Sequence, residues 1–501
     1  MAGSDKGQNN KLILIIQVVA VTFLMFAIFS RLNKKPENVA AANKTVEVVK
    51  TENSSQKLID FPSVKGEGKV VKVDTPLYTV TISTINGNIR SFYVKKYRAE
   101  LVSDKAKKLG VYPLTTVADS KDTTTQLLSM ELSSSSLSVK VEKEKEILTL
   151  EGKLSDGRIF RKQFTFYPDT YAIDVKESLE GAKLSVLVGP DIKVNEAHTS
   201  RMGHIGPVVE LSDGKVERID IKKLKNISFP SVRWAGEEDK YFLMAVKDNS
   251  FSVDITSLNG SSIVKNRIAS YKAFLGPKEL SQLEKLGMDK AIDFGMFGFL
   301  AKPLLKFFLF LHRFIPNYGL VIIVLTLIIK LLMHPLTHKS YESMKKMQVL
   351  APKMEEIKKK YSEDPKKLNE EMMKLYKETG VNPMGGCLPM LLQIPVFFGL
   401  YEIFLNAVEL KGAGFLWIKD LSTPDPTYML PILMGLSMIL QQKMTPTANP
   451  EQQKIFYIMA IVFTFMFANF PAGLVLYWFT NNLITAIQNF IINKMIHHKE
   501  N

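Results

Sequence analysis

The chain has 501 residues, 46% of them hydrophobic and 23% charged, and a net charge of +15. Those averages are near globular values, but they hide a polar, Ser/Thr/Lys-rich stretch from about Lys34 to Lys290 and long apolar runs from about Phe294 to Asn493, which argues against a single soluble enzyme. The one cysteine, Cys387, excludes an internal disulfide framework and a cysteine-based zinc site, and with membrane spans in the chain the basic balance needs no specific nucleic acid to explain it.

Residues 12–29 form an apolar run long enough to cross a bilayer core. A cleaved signal peptide has a shorter core with a small-residue site close behind. Here Arg31, Lys34 and Lys35 intervene, so residues 1–30 read as a cytoplasmic tail and an uncleaved anchor, with 31–56 as a linker.

Residues 57–275 read as an all-β sandwich. Tyr78, Val80 and Ile82 alternate with Thr79, Thr81 and Ser83, and Asn86-Gly87 supplies the positive φ values of a tight hairpin before the chain returns over 88–94. Asp156-Gly157 is expected to do the same between 146–154 and 158–166, and 171–175 and 240–246 read as further strands. Short strands with regular turns and no helical period indicate a sandwich. His198 and His204 stand alone and read as solvent-exposed loop histidines. Residues 276–316 connect this domain to the spans. Within them, 294–315 mixes apolar residues with Lys302, Lys306, His312 and Arg313, the pattern of a helix lying in the membrane interface.

Further spans are expected at 318–333, 388–408, 428–440, 455–470 and 474–492, the last two joined by the tight turn 470–473. His334-Pro335 is expected to close the second span. The segment 334–386 carries eleven lysines against two, Lys411 and Lys419, in 409–427, so the first is cytoplasmic and the second is outside. Six spans then put both termini inside and the β domain outside, although Arg31, Lys34 and Lys35 after the first span disagree mildly with Lys6 and Lys11 before it. Residues 441–454 form a second cytoplasmic loop and 493–501 a cytoplasmic tail.

In the cytoplasmic segment Met347, Leu350, Met354, Ile357 and Tyr361 follow a helical seam, as do Leu368, Met372, Leu375 and Thr379, with Asp364-Pro365 starting the second helix. Such a hairpin packs its methionines against each other or offers an adaptable surface to apolar peptide, and both can hold at once.

Inside the spans, Lys330 stands three residues short of Met333. A snorkelling lysine is one reading; Thr326 on the same face favours an inward, hydrated position. Asn481, Thr485, Gln488 and Ile492 form a stripe on the last span with Asn489 beside it, and Gln393, Ser437, Gln441 and Thr464 are further polar candidates. Amides facing lipid are costly, so together these residues argue for a water-accessible groove open to the cytoplasm. Glu402, fourteen residues into its span, reads as a structural group near the outer interface. The sequence has no nucleotide-binding Gly-Lys-Ser/Thr loop, no His-Glu-x-x-His and no Gly-x-Ser-x-Gly, and the expected function needs no cofactor or metal.

The run 382–389 (Asn-Pro-Met-Gly-Gly-Cys-Leu-Pro) leading into Gln393-Ile394-Pro395, the stretch 330–337, the stretch 371–377 and 471–478 resemble the signatures of the YidC/Oxa/Alb membrane insertase family, over about residues 271–492. The outer domain resembles the β-supersandwich of the six-span Gram-negative form. The resemblance implies an inner-membrane insertase and chaperone whose groove, open to cytoplasm and lipid, carries one positive side chain. That charge falls on Lys330, where arginine is usual in the bacterial family. Thr326, Gln393, Ile394, Phe397, Tyr477 and Trp478 fall at positions implied to line the groove or contact substrate. The implied partners are nascent membrane proteins, components of the Sec translocon, the ribosome, and the signal recognition particle or its receptor. A small-molecule transporter is the rival reading. It requires a midplane site and repeated halves, and no internal repeat is evident.

Overall fold

The computed structural model describes residues 63–500, apart from 67, 194–202, 225, 382–387 and 446–449. The expected first span, His198 and the 382–387 part of the signature run lie outside the described residues.

Seventeen strands among the described residues build two sheets. The smaller has five strands and is centred on the Tyr78–Ser83 and Ile89–Val94 hairpin, in which Tyr78 pairs with Val94 and Ile82 with Ile89. Asn86 and Gly87 have φ of 65° and 66°, the backbone a two-residue primed turn requires. Tyr78, Val80 and Ile82 are fully buried, and the Tyr78 ring stacks on Phe92 at 4.5 Å.

The second sheet has twelve strands. Its Glu146–Lys153 and Ile159–Phe166 hairpin departs from expectation. Only Gly157 takes positive φ, at 91°. The Gly157 N–H reaches the Leu154 carbonyl, the Leu154 N–H reaches that of Arg158, and Asp156 accepts the Arg158 N–H at 3.0 Å. One left-handed glycine after an ordinary turn makes a bulged loop that needs no positive φ at Asp156.

The strand expected at 240–246 runs instead over Phe242–Leu258. The exposed polar residues 248–250 look like a turn, but there the strand changes partners, leaving Ser270–Pro277 and taking up Ser261–Arg267. Two short helices also went unforeseen, α1 (Asp104–Leu109) and α2 (Lys121–Ser129), each opened by a serine whose side chain accepts a backbone N–H. His204 is half-buried, with a ring nitrogen 3.1 Å from the Pro207 carbonyl oxygen, rather than fully exposed.

Helix α3 (Leu280–Leu286) leads to α4 (Gly298–His312), the helix expected to lie in the membrane interface. Lys302 pairs with Asp289 and Lys306 with Glu284, while Phe299, Phe307, Phe310 and Phe314 are turned outward. The lysines are thereby taken up by the connecting segment and the aromatic residues are left exposed.

Helix α5 runs from Tyr318 to Lys360 without interruption. Pro335 therefore does not end the helix. It removes one backbone bond, which a long helix packed on neighbours absorbs, so the helix continues beyond the expected end of the span. Asp364 caps α6 (Pro365–Thr379) by accepting the Lys367 N–H at 3.0 Å, and the Tyr376 hydroxyl reaches Met354 Sδ at 4.0 Å between the two arms.

Four more helices follow: α7 (Leu388–Asn406), α8 (Met429–Lys443), α9 (Pro450–Phe467) and α10 (Ala472–Glu500). The turn before α10 begins at Ala468, two residues earlier than expected, since α9 stops at Phe467. Among the described helices α5 is long and apolar enough, by length and composition alone, to cross a bilayer, and 453–467 is a shorter apolar stretch. Helix α10 packs on α8 and α5, α8 on α9, and α7 on α4 and α5. Gly435 lets α8 and α9 touch: a Cβ there would lie 2.0 Å from Thr464 Oγ1.

Candidate functional site

The membrane helices meet at a polar network. Lys330 on α5 is only 6% exposed and points into the bundle, where its ammonium donates to Gln393 Oε1 on α7 at 3.4 Å. The Gln393 amide nitrogen donates in turn to the Tyr477 hydroxyl at 2.9 Å and to Asn481 Oδ1 at 2.8 Å, both on α10. One glutamine thus satisfies three partners and ties three helices around the cation. Snorkelling would have taken the ammonium out to the headgroups, and it does not.

Thr326 is buried one turn from Lys330, its hydroxyl bonded to the Ile322 carbonyl at 2.6 Å. Thr485, half-buried, bonds the Asn481 carbonyl at 2.7 Å. Both hydroxyls spend their proton on their own helix and keep lone pairs for a donor. Gln488 is 8% exposed, and its Oε1 has no partner among the described residues. Ile492, the apolar end of the stripe, is fully buried.

The next face of α10 does something else. Asn482 donates to Ser437 Oγ at 3.1 Å and Asn489 to Thr445 Oγ1 at 3.1 Å, so this second pair of amides fastens α10 to α8 and the start of the loop after it. Asn482 was not singled out from sequence, although it lies seven residues before Asn489, the helical spacing that marks one face.

The aromatic residues separate by role. Tyr477 is buried and serves as a wall of the network. Trp478 lies edge-on to Phe397 at 5.0 Å and tilted on Phe467 at 5.5 Å, in a cluster facing α9. Ile394 is exposed on α7. Further along α5, the Tyr341 hydroxyl reaches the Met444 carbonyl at 3.4 Å, and Lys345 donates to Asn493 at 3.1 Å, so α5 also meets α10 and the residue that follows α8. Met347, Met354 and Met372 are half-buried along the hairpin, away from the Lys330 network.

Glu402 belongs elsewhere. Its Oε2 accepts from Asn406 at 3.0 Å, and Asn406 also donates to the Asp293 carbonyl at 2.9 Å, tying α7 to the segment before α4. Asp293 in turn faces Arg218 at 3.5 Å, and Arg218 pairs with the fully buried Glu238 of the β domain at 2.7 Å. Among the described residues no group of acids, histidines or cysteines is placed to hold a metal.

Comparison with known proteins shows the family. Residues 310–500 match the 60Kd inner membrane protein family, and residues 70–307 match the YidC periplasmic domain. The membrane protein insertase YidC of Syntrophus aciditrophicus is 38% identical, covering 97% of this chain and 99% of its own. That of Aquifex aeolicus is 38% identical, covering 97% and 96%. The chain belongs to the YidC membrane protein insertase family. It is an inner-membrane insertase with a periplasmic domain, and no enzymatic step is ascribed to it. A crystal structure of an active YidC insertase with its first transmembrane domain resolved is 22% identical, covers 85% of this chain and 93% of its own, and has a TM-score of 0.39.

Proposed function

We propose that the chain inserts and helps fold inner-membrane proteins by receiving their polar segments at the Lys330 network, in a groove reached from the cytoplasm and from lipid. The observation that carries this reading is the inward ammonium of Lys330, held by a single long hydrogen bond among the described residues. A buried cation so thinly satisfied is costly, and a carboxylate from a client supplies what Gln393 alone does not.

A client span of about 20 apolar residues enters lipid downhill. Its barrier is the polar tail that must cross, at about 2.5–3.5 kcal/mol for each charge at the bilayer centre on insertion scales. A hydrated recess around Lys330, Gln393, Asn481, Thr485 and Gln488 shortens the apolar distance, and Thr326 lines it. Ile394, Phe397 and Trp478 offer the released segment an apolar path along α7 and α9, with Tyr477 as the wall behind. The methionines of the α5–α6 hairpin, Met347, Met354 and Met372, meet apolar segments first.

In this reading six spans place both termini in the cytoplasm. The clients are nascent membrane proteins, and the partners are the Sec translocon, the ribosome, and the signal recognition particle or its receptor. The test is insertion into proteoliposomes holding the purified full chain. Lys330→Glu is expected to impair clients with acidic tails, while Lys330→Arg retains them. Equal activity of Lys330→Glu and wild type overturns the charge model.

A further inference from the structure

Where the β domain meets the helices there is a cavity of about 240 Å³, lined by Lys96 and Tyr97 from the turn that follows Ile89–Val94, His312 and Tyr318 from α4 and α5, and Glu409 and Lys411 from the outer loop. Its depth in the membrane follows from its neighbours. Tyr318 is the first residue of the apolar helix α5, and before it Phe310 on α4 and Phe314 just after α4 are turned outward. Aromatic and basic residues gather at such a level because headgroups begin there.

Both charges are present in the lining. Glu409 is 6% exposed. One of its oxygens accepts the Leu280 N–H at 3.4 Å, and Oε2 has no hydrogen-bond partner among the described residues. Burial, and then the charge of Glu279, push the Glu409 carboxyl up to about 7. Glu279 is already engaged, accepting from Lys96 at 2.7 Å and from the Tyr97 hydroxyl at 2.6 Å. The Lys411 ammonium lies 5.3 Å from the Tyr241 ring, and His312 stacks flat on Tyr318 at 3.7 Å. The orphaned carboxylate oxygen calls for a cationic donor, and the lysines suit an anion.

We propose that this cavity takes the headgroup of an outer-leaflet phospholipid of the phosphoethanolamine class, its ammonium donating to Glu409 and its phosphate lying against Lys96 and Lys411. The proposal rests on the membrane placement given above. A primary ammonium brings N–H donors to Glu409. A trimethylammonium brings none, and a glycerol headgroup brings no cation.

The full chain in detergent, offered phosphatidylethanolamine, phosphatidylcholine and phosphatidylglycerol in turn and read by native mass spectrometry, tests it. Wild type is expected to retain phosphatidylethanolamine about tenfold better than the other two, the scale of one charge-assisted hydrogen bond, and Glu409→Gln is expected to erase the difference. Equal retention of the three lipids by wild type overturns the proposal, as does undiminished selectivity in Glu409→Gln. Should that variant fail to fold, the wild-type comparison still decides. Client insertion measured on the same preparation reads the insertase function separately, so loss of headgroup selectivity with insertion intact removes this proposal alone.

Discussion

Replacing Gln393 by glutamate puts a carboxylate where Lys330 now finds an amide oxygen at 3.4 Å. At that separation and an effective dielectric near 20, the attraction is about 5 kcal/mol, and desolvation of the new carboxylate cancels part of it. The Tyr477 hydroxyl can turn to donate, and the Asn481 amide can rotate to present its nitrogen, so the fold should keep its network. The client loses its cation. An acidic tail must now displace an internal counter-charge, and even about 1.4 kcal/mol of remaining attraction is a tenfold penalty. Proteoliposome insertion of two clients differing only in tail charge reads this. Gln393→Glu should melt no lower than wild type, insert the acidic-tail client at least about tenfold more slowly, and leave the neutral-tail client unchanged. Gln393→Leu removes the same bonds without adding charge. It should cost about 1–3 kcal/mol of stability while keeping the distinction between tails. Insertion of the acidic-tail client by Gln393→Glu at the wild-type rate refutes the reasoning.

Two other outcomes follow from the packing and the outer junction. Gly435→Ala places a Cβ 2.0 Å from Thr464 Oγ1, so thermal melting in detergent should show a loss of about 1–3 kcal/mol; an unchanged melting temperature means that α8 and α9 do not pack as described. Glu409 holds its proton more tightly folded, with its pKa raised from 4.5 to about 7, so its contribution to stability is complete below pH 4.5 and is lost as pH rises through 7. Without added lipid, Glu409→Gln should therefore match wild type at pH 4 and exceed it at pH 8 by up to about 3 kcal/mol, and a gap independent of pH contradicts this.

Local chemistry made much of the fold legible. Asn86-Gly87 demands one backbone shape, and alternation at Tyr78, Val80 and Ile82 demands one buried face; both are seen. What went unread depends on tertiary context. The polar residues 248–250 carry no sign that a strand changes partners there, and Asp156-Gly157 fits two hairpin geometries that differ by one residue of loop and by the sign of φ at Asp156. Pro335 was read by its local cost, which neighbouring helices override. In the site, Lys330, Gln393 and Asn481 stood out because polar groups in apolar runs are expensive, but periodicity places them on faces and does not pair them. Asn482 was hidden by its neighbour Asn481, since adjacent amides on a helix point about 100° apart and serve different partners. Glu409 was passed over because a loop carboxylate usually has water, and only the docking of the β domain deprives it of that.

The central claim is that the charge at position 330 selects the charge of the client's polar tail. Charge reversal on both sides tests it most directly, with Lys330→Glu assayed in proteoliposomes against one client carrying an acidic tail and its counterpart carrying lysines. The account predicts that the variant fails with the acidic tail and is restored with the basic one. A variant that handles both tails as wild type does, or fails equally with both, contradicts it.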